Sequence, residues 1–135
     1  MSAEYTYDYA ILRVVPRVDR GEAVNVGVIL SCPERQFLEA RVEVDEGRLL
    51  TLDPTVDMPT VRQALNVILA VCRGDADTGP LGEMPQRNRF HFLVGPRSTV
   101  VQPSPTHTGR TADPQATLES LMLKLVRTPG RGASW

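Results

Sequence analysis

The chain has 135 residues, 41% hydrophobic and 23% charged, with a formal net charge of −1. That size suits one domain whose core needs neither a metal nor a disulfide, and that charge excludes a general nucleic-acid coat protein, which would be strongly basic. The two cysteines, Cys32 and Cys72, each lie in an apolar run, the pattern of buried free thiols rather than of a disulfide framework. No apolar run approaches a membrane span, and Met1–Tyr5 has neither a basic nor an apolar leader region, so the chain reads as soluble and cytoplasmic.

Tyr5 to Val15 alternates and is rich in Tyr, Ile and Val, which predicts a first strand. Ala10, Leu12 and Val14 fall on one face and Tyr9, Ile11, Arg13 and Val15 on the other. Pro16, without a ladder donor, ends it. Ala23 to Cys32 predicts a second strand, with Val24, Val26, Val28 and Leu30 on one face at period two. After a Pro33–Arg35 turn, Gln36 to Val44 predicts a third strand with Leu38, Ala40, Val42 and Val44 inward. Links this short make an antiparallel meander, because parallel pairing needs a long crossover.

Asp45 to Val56 reads as a charged, irregular link with room for one helical turn. A helix then starts at Asp57, with Pro59 in its first turn, and Gly74 ends it. Val61, Ala64, Leu65, Ile68, Leu69 and Cys72 make its apolar stripe. Asp75 to Pro85 has loop composition. Gln86 to Val94 suits a helix or a strand, and the helix is preferred. Thr99 to Gln102 predicts a fourth strand, running into a polar loop from Gln102 to Gly109. Asp113-Pro114 opens a second amphipathic helix marked by Leu118, Leu121, Met122, Leu125 and Val126. The expectation is an α+β fold: three meander strands plus a fourth C-terminal strand, packed against two main amphipathic helices. It forms one domain over 1–127 with a flexible tail over 128–135.

The polar loop concentrates the available chemistry. Pro103 and Pro105 narrow the backbone, and Ser104, Thr106, His107 and Thr108 bring donors and acceptors. The same hydroxyls also serve to cap a loop's own backbone, which is the favoured reading for any one of them. A Ser104–His107 nucleophile pair lacks an elbow motif and an orienting carboxylate. Two histidines sixteen residues apart do not match zinc spacing, and no phosphate-cradling glycine motif is present, so no metal or cofactor is expected. Arg13 interrupts an apolar strand and is either a surface arginine or a ligand group working with Asn25. From Met84 to Ala112 the chain carries four arginines, both histidines and no acid, a formal +4 against −5 for the rest. Such a field suits a phosphate or an acidic partner, if the clustering survives folding.

Three segments resemble the bacterial family known as domain of unknown function 3037. They are Tyr7-Asp8-Tyr9-Ala10-Ile11-Leu12-Arg13-Val14-Val15-Pro16, Gly21 to Leu30, and Pro96-Arg97-Ser98-Thr99-Val100-Val101-Gln102-Pro103-Ser104-Pro105-Thr106-His107-Thr108-Gly109. The likeness spans about Tyr5 to Val126. It implies a small stand-alone bacterial protein without an assigned activity. Relatives of the family are often encoded beside HipA-like kinases, which implies a protein partner and makes such a kinase the candidate. The matching positions bring Arg13, Asn25, Arg97, Ser98, Gln102, Ser104 and His107 forward as one candidate surface. Two functions follow as expectations. One is a non-catalytic binding module for a protein partner or a phosphate-bearing ligand. The other is a small enzyme acting on a phosphorylated or nucleotide substrate, with Arg13 and Arg97 clamping the anion and His107 moving a proton. Neither membrane association nor general nucleic-acid binding is expected.

Overall fold

A computed structural model describes residues 3–17, 19–97 and 99–127. The expected meander is present as β1 (Tyr5–Val14), β2 (Val24–Cys32) and β3 (Phe37–Val42), all antiparallel. β1 is central. Its free side receives two further antiparallel strands end to end: β4 (Val101–Pro103) opposite Leu12–Val14, and β5 (His107–Thr111) opposite Tyr5–Tyr9. β4 starts two residues later than expected, and β5 replaces the second half of the expected polar loop. His107 to Thr111 carries no alternating apolar residues to announce a strand. It is held by backbone pairing along β1 and keeps His107 and Thr108 exposed.

Helices cover both faces of the sheet. On one, the inner face, lies α2 (Met58–Arg73), with α1 (Glu46–Leu52), α3 (Pro80–Glu83) and α4 (Gln86–Leu93) around it. Asp57 caps α2 by accepting from the Thr60 N–H at 3.2 Å. Gly74 closes it at φ 71°, a left-handed conformation that suits glycine. Val61 and Leu65 of α2 and Phe90 and Leu93 of α4 bury against Ala10, Leu12 and Val14. Each such side chain contributes roughly 1.5–3 kcal/mol before chain entropy is charged against it. Two expected irregular stretches are more ordered than their composition indicated. Asp45 caps the seven-residue α1 through the Arg48 N–H, and Asp75–Pro85 contains a 3₁₀ turn and α3.

On the outer face lies α5 (Pro114–Leu121), capped by Asp113 through the Ala116 N–H. It widens into a π-helical turn over Met122–Val126. Leu118, Met122 and Val126 pack on Val28, Leu30 and Cys32. The expected single face of β2 is therefore a correction. Leu12 pairs with Gly27 while Arg13 pairs with Asn25, so Val26 is one residue too many. This bulge shifts the alternation. Val24, Val26 and Ile29 enter the inner core, and Val28, Leu30 and Cys32 enter the outer one. Gly27 lets β3 approach at the bulge, for a Cβ there would meet the Arg41 carbonyl oxygen at 2.5 Å.

Candidate functional site

α5 and its π-helical turn seal β2 but leave the outer face of β1 half-open. Tyr5, Tyr7, Tyr9, Ile11 and Arg13 alternate along that strip, each partly buried. At one end the strands place three polar side chains in a row. Arg13 sits directly opposite Asn25 on one side and Gln102 on the other. Asn25 Nδ2 donates to the Leu125 carbonyl at 2.9 Å, using an acceptor in the π-helical turn. Gln102 Nε2 donates to the Thr99 carbonyl at 2.9 Å. Both neighbours are thereby tied to the backbone. Arg13 is not: its Nε is buried and meets no acceptor among the described residues.

At the other end His107 pairs with Tyr9, their rings 5.2 Å apart and tilted by 30°. Tyr7 continues the aromatic line, 6.1 Å from Tyr9. Its ring crosses Gly109, where a Cβ would lie 2.5 Å from the Tyr7 hydroxyl. Burial, reinforced by Tyr9, raises the Tyr7 phenol above its ordinary pKa. Sequence reasoning does not single out Tyr7 and Tyr9 as site residues. Their signal is present in the period-two tyrosines of β1, but it becomes meaningful only once that face proves half-covered.

Ser104 lies between the two ends and is structural. It is buried. Its Oγ accepts the Ile11 N–H at 2.8 Å and donates to the Pro105 carbonyl at 2.9 Å. Arg97 stands apart, on the α2 side of the sheet. Its Nη2 donates to the Phe92 carbonyl at 2.7 Å and its guanidinium lies 4.9 Å from the Phe92 ring centre. So the candidate residues divide. Arg13, Asn25, Gln102 and His107 share the outer face, while Arg97 lies on the inner side, and the expected clamp of Arg13 with Arg97 is not assembled. Ser98 lies outside the described residues.

The acid-free stretch also disperses on folding. Arg87 of α4 bonds Asp8 at 2.5 Å and Ser31 at 2.9 Å. Arg89 caps the C-terminus of α2 through the Val71 and Cys72 carbonyls, at 2.7 and 2.9 Å. Arg110 bonds the Glu4 carbonyl at 3.2 Å. The thiols offer no nucleophile: Cys32 and Cys72 lie in opposite cores, and burial raises both, Cys72 to about 12. Among the described residues, no helix is long and apolar enough to cross a membrane.

The geometry defines an α+β protein with an antiparallel sheet between two helical layers and one half-open strip, where the buried Arg13 Nε meets no acceptor among the described residues. The chain belongs to the family described as protein of unknown function DUF3037, whose model matches residues 9–126. No curated protein and no solved structure matches it.

Proposed function

We propose that this protein is a non-catalytic binding module and that its working surface is the outer strip from Arg13 to His107. Its ligand presents an anionic group to Arg13, carried either by a protein partner, for which a HipA-like kinase is the candidate, or by a small phosphate ester. The observation that carries this reading is the buried Arg13 Nε, which meets no acceptor among the described residues. A buried donor left unmatched costs roughly 1–3 kcal/mol, and more on a charged group. An arriving phosphate or carboxylate removes that cost and takes two parallel hydrogen bonds from the guanidinium. Asn25 and Gln102, held by their own backbone contacts, fix the arginine's flanks. The Tyr9–His107 pair lies four residues along the same strand, about 13 Å away at strand spacing. It serves as a second contact for an extended ligand.

Titration of pyrophosphate into the full chain tests the anion site, with capture from native lysate as a parallel arm for a protein source. Arg13→Gln should weaken binding at least tenfold while the melting temperature stays close to wild type. Arg97→Gln should leave pyrophosphate binding unchanged, since Arg97 lies on the other side of the sheet. Equal affinity of wild type and Arg13→Gln in both arms would remove the proposal.

A further inference from the structure

The inner side of the sheet carries a separate cavity of about 220 Å³ between α2, α4 and β4. Its walls are mainly apolar, Ala64, Ile68, Val71, Leu81, Leu93 and Val101, with Thr99 beside them. Val67 and Phe92 stand at its rim, and both are strongly exposed, at 51% and 47%. Among the described residues lining it, Arg97 is the one that carries a charge. Its position is fixed by stacking on Phe92 and by the bond from Nη2 to the Phe92 carbonyl. That bond uses one of the five N–H donors of a guanidinium. The other arginines of the acid-free stretch are engaged elsewhere. Arg87 and Arg110 have carboxylate neighbours, and Arg89 sits at the negative end of the α2 dipole. Arg97 has no carboxylate within salt-bridge distance among the described residues, so its charge faces the cavity rim uncompensated.

We propose that this cavity binds a small apolar carboxylate, its chain among the α2, α4 and β4 side chains and its head group on the free edge of the Arg97 guanidinium. The volume sets the size. Sites for drug-sized molecules run to roughly 300–1,000 Å³, and a dry apolar cavity near 150 Å³ already takes benzene. A straight acyl chain of about six to eight carbons is of the size that this volume takes. The charge calls for an anionic head group, and a carboxylate takes two parallel hydrogen bonds from a guanidinium edge. Covering Val67 and Phe92 supplies the hydrophobic part of the affinity. This site is independent of the Arg13 strip and does not require it.

The probe is octanoate, titrated into the full chain and followed by calorimetry and by amide chemical shifts, with 1-octanol as the uncharged counterpart. Octanoate should saturate one site and move amides of α2 and α4. Arg97→Gln should weaken octanoate at least tenfold yet change octanol binding little. Arg13→Gln should leave octanoate binding as in wild type. The proposal is overturned if octanoate fails to saturate, if it binds Arg97→Gln as tightly as wild type, or if Arg13→Gln abolishes it. Arg97 is exposed, so its substitution leaves the fold intact. Wild type alone provides a further check: octanol binding as tightly as octanoate would overturn the assigned role of the Arg97 charge without any variant.

Discussion

Ser104 stands where β4 gives way to β5, between two prolines that offer no N–H to the ladder. The pairing on its two sides is out of step by one residue, for Leu12 faces Pro103 while Tyr9 faces His107. Ile11 lies opposite that break, and its N–H takes the Ser104 hydroxyl in place of a backbone carbonyl. The Ser104 N–H answers by donating to the Ile11 carbonyl at 2.8 Å. Ser104→Ala should therefore strand a backbone donor and cost about 1–3 kcal/mol. The readout is a lower urea midpoint at an unchanged slope. A midpoint within error of wild type would mean that water replaces the hydroxyl at no cost. Backbone capping is the reading the sequence favours for each hydroxyl of this stretch. Which donor Ser104 serves is not legible there, because Ile11 is ninety-three positions away.

At the scale of elements, Asp8 fastens three of them to β1. Its carboxylate accepts from Arg87 of α4 at 2.5 Å and from the Thr108 hydroxyl of β5 at 2.6 Å, and Arg87 reaches on to Ser31 of β2. Burial alone would raise the Asp8 pKa. The Thr108 and Arg87 hydrogen bonds, with the Arg87 charge, outweigh burial and hold it below the ordinary carboxylate value. A folded-state pKa below the unfolded one gives stability that is fully present above the unfolded value, near pH 4, and lost as pH falls through the folded value. Wild type should lose stability steeply in that acid window. Asp8→Asn should be less stable at pH 7 and show a shallower acid limb, measured as urea midpoints from pH 7 to pH 3. Parallel curves for the two proteins would show that Asp8 carries none of the acid sensitivity. Asp8 and Arg87 are both visible in the sequence, but seventy-nine residues separate them and no local pattern links them.

In the whole molecule, the bulge at Val26 lets one strand supply two cores. β2 gives Val24, Val26 and Ile29 to the layer under α2, and Val28, Leu30 and Cys32 to the layer under α5. A strand shared this way couples the layers, since neither core keeps its floor if β2 unpairs. Leu65 lies in the inner core at 2% exposure and Leu118 in the outer at 0%. Leu65→Ala and Leu118→Ala should each cost about 2–5 kcal/mol, and each should lower one common transition. Far-UV circular dichroism weights the helices, which lie mostly on the inner side, and near-UV tyrosine signals report the outer strip. The two probes should coincide in wild type and in both variants. An outer layer that melts first in Leu118→Ala would show that the layers fold separately.

Most of what is settled within one segment was legible along the chain, the short α1 and α3 being the exceptions. The meander follows from period-two runs with short links. α2 follows from an apolar stripe between Asp57 and Gly74, and α5 from the Asp113-Pro114 start. The tertiary structure decided how the segments share surfaces. It placed β5 on the same edge as β4, switched faces at the bulge and set Arg97 on the far side of the sheet from Arg13. It also gave Arg87 and Arg110 carboxylate neighbours. Capping and periodicity act over a few neighbouring residues, so they can be read in order along the sequence. Ladder pairing, burial and ion pairing act between residues tens of positions apart, and they exist only once β1 has both edges occupied, its inner face covered and its outer face half-covered.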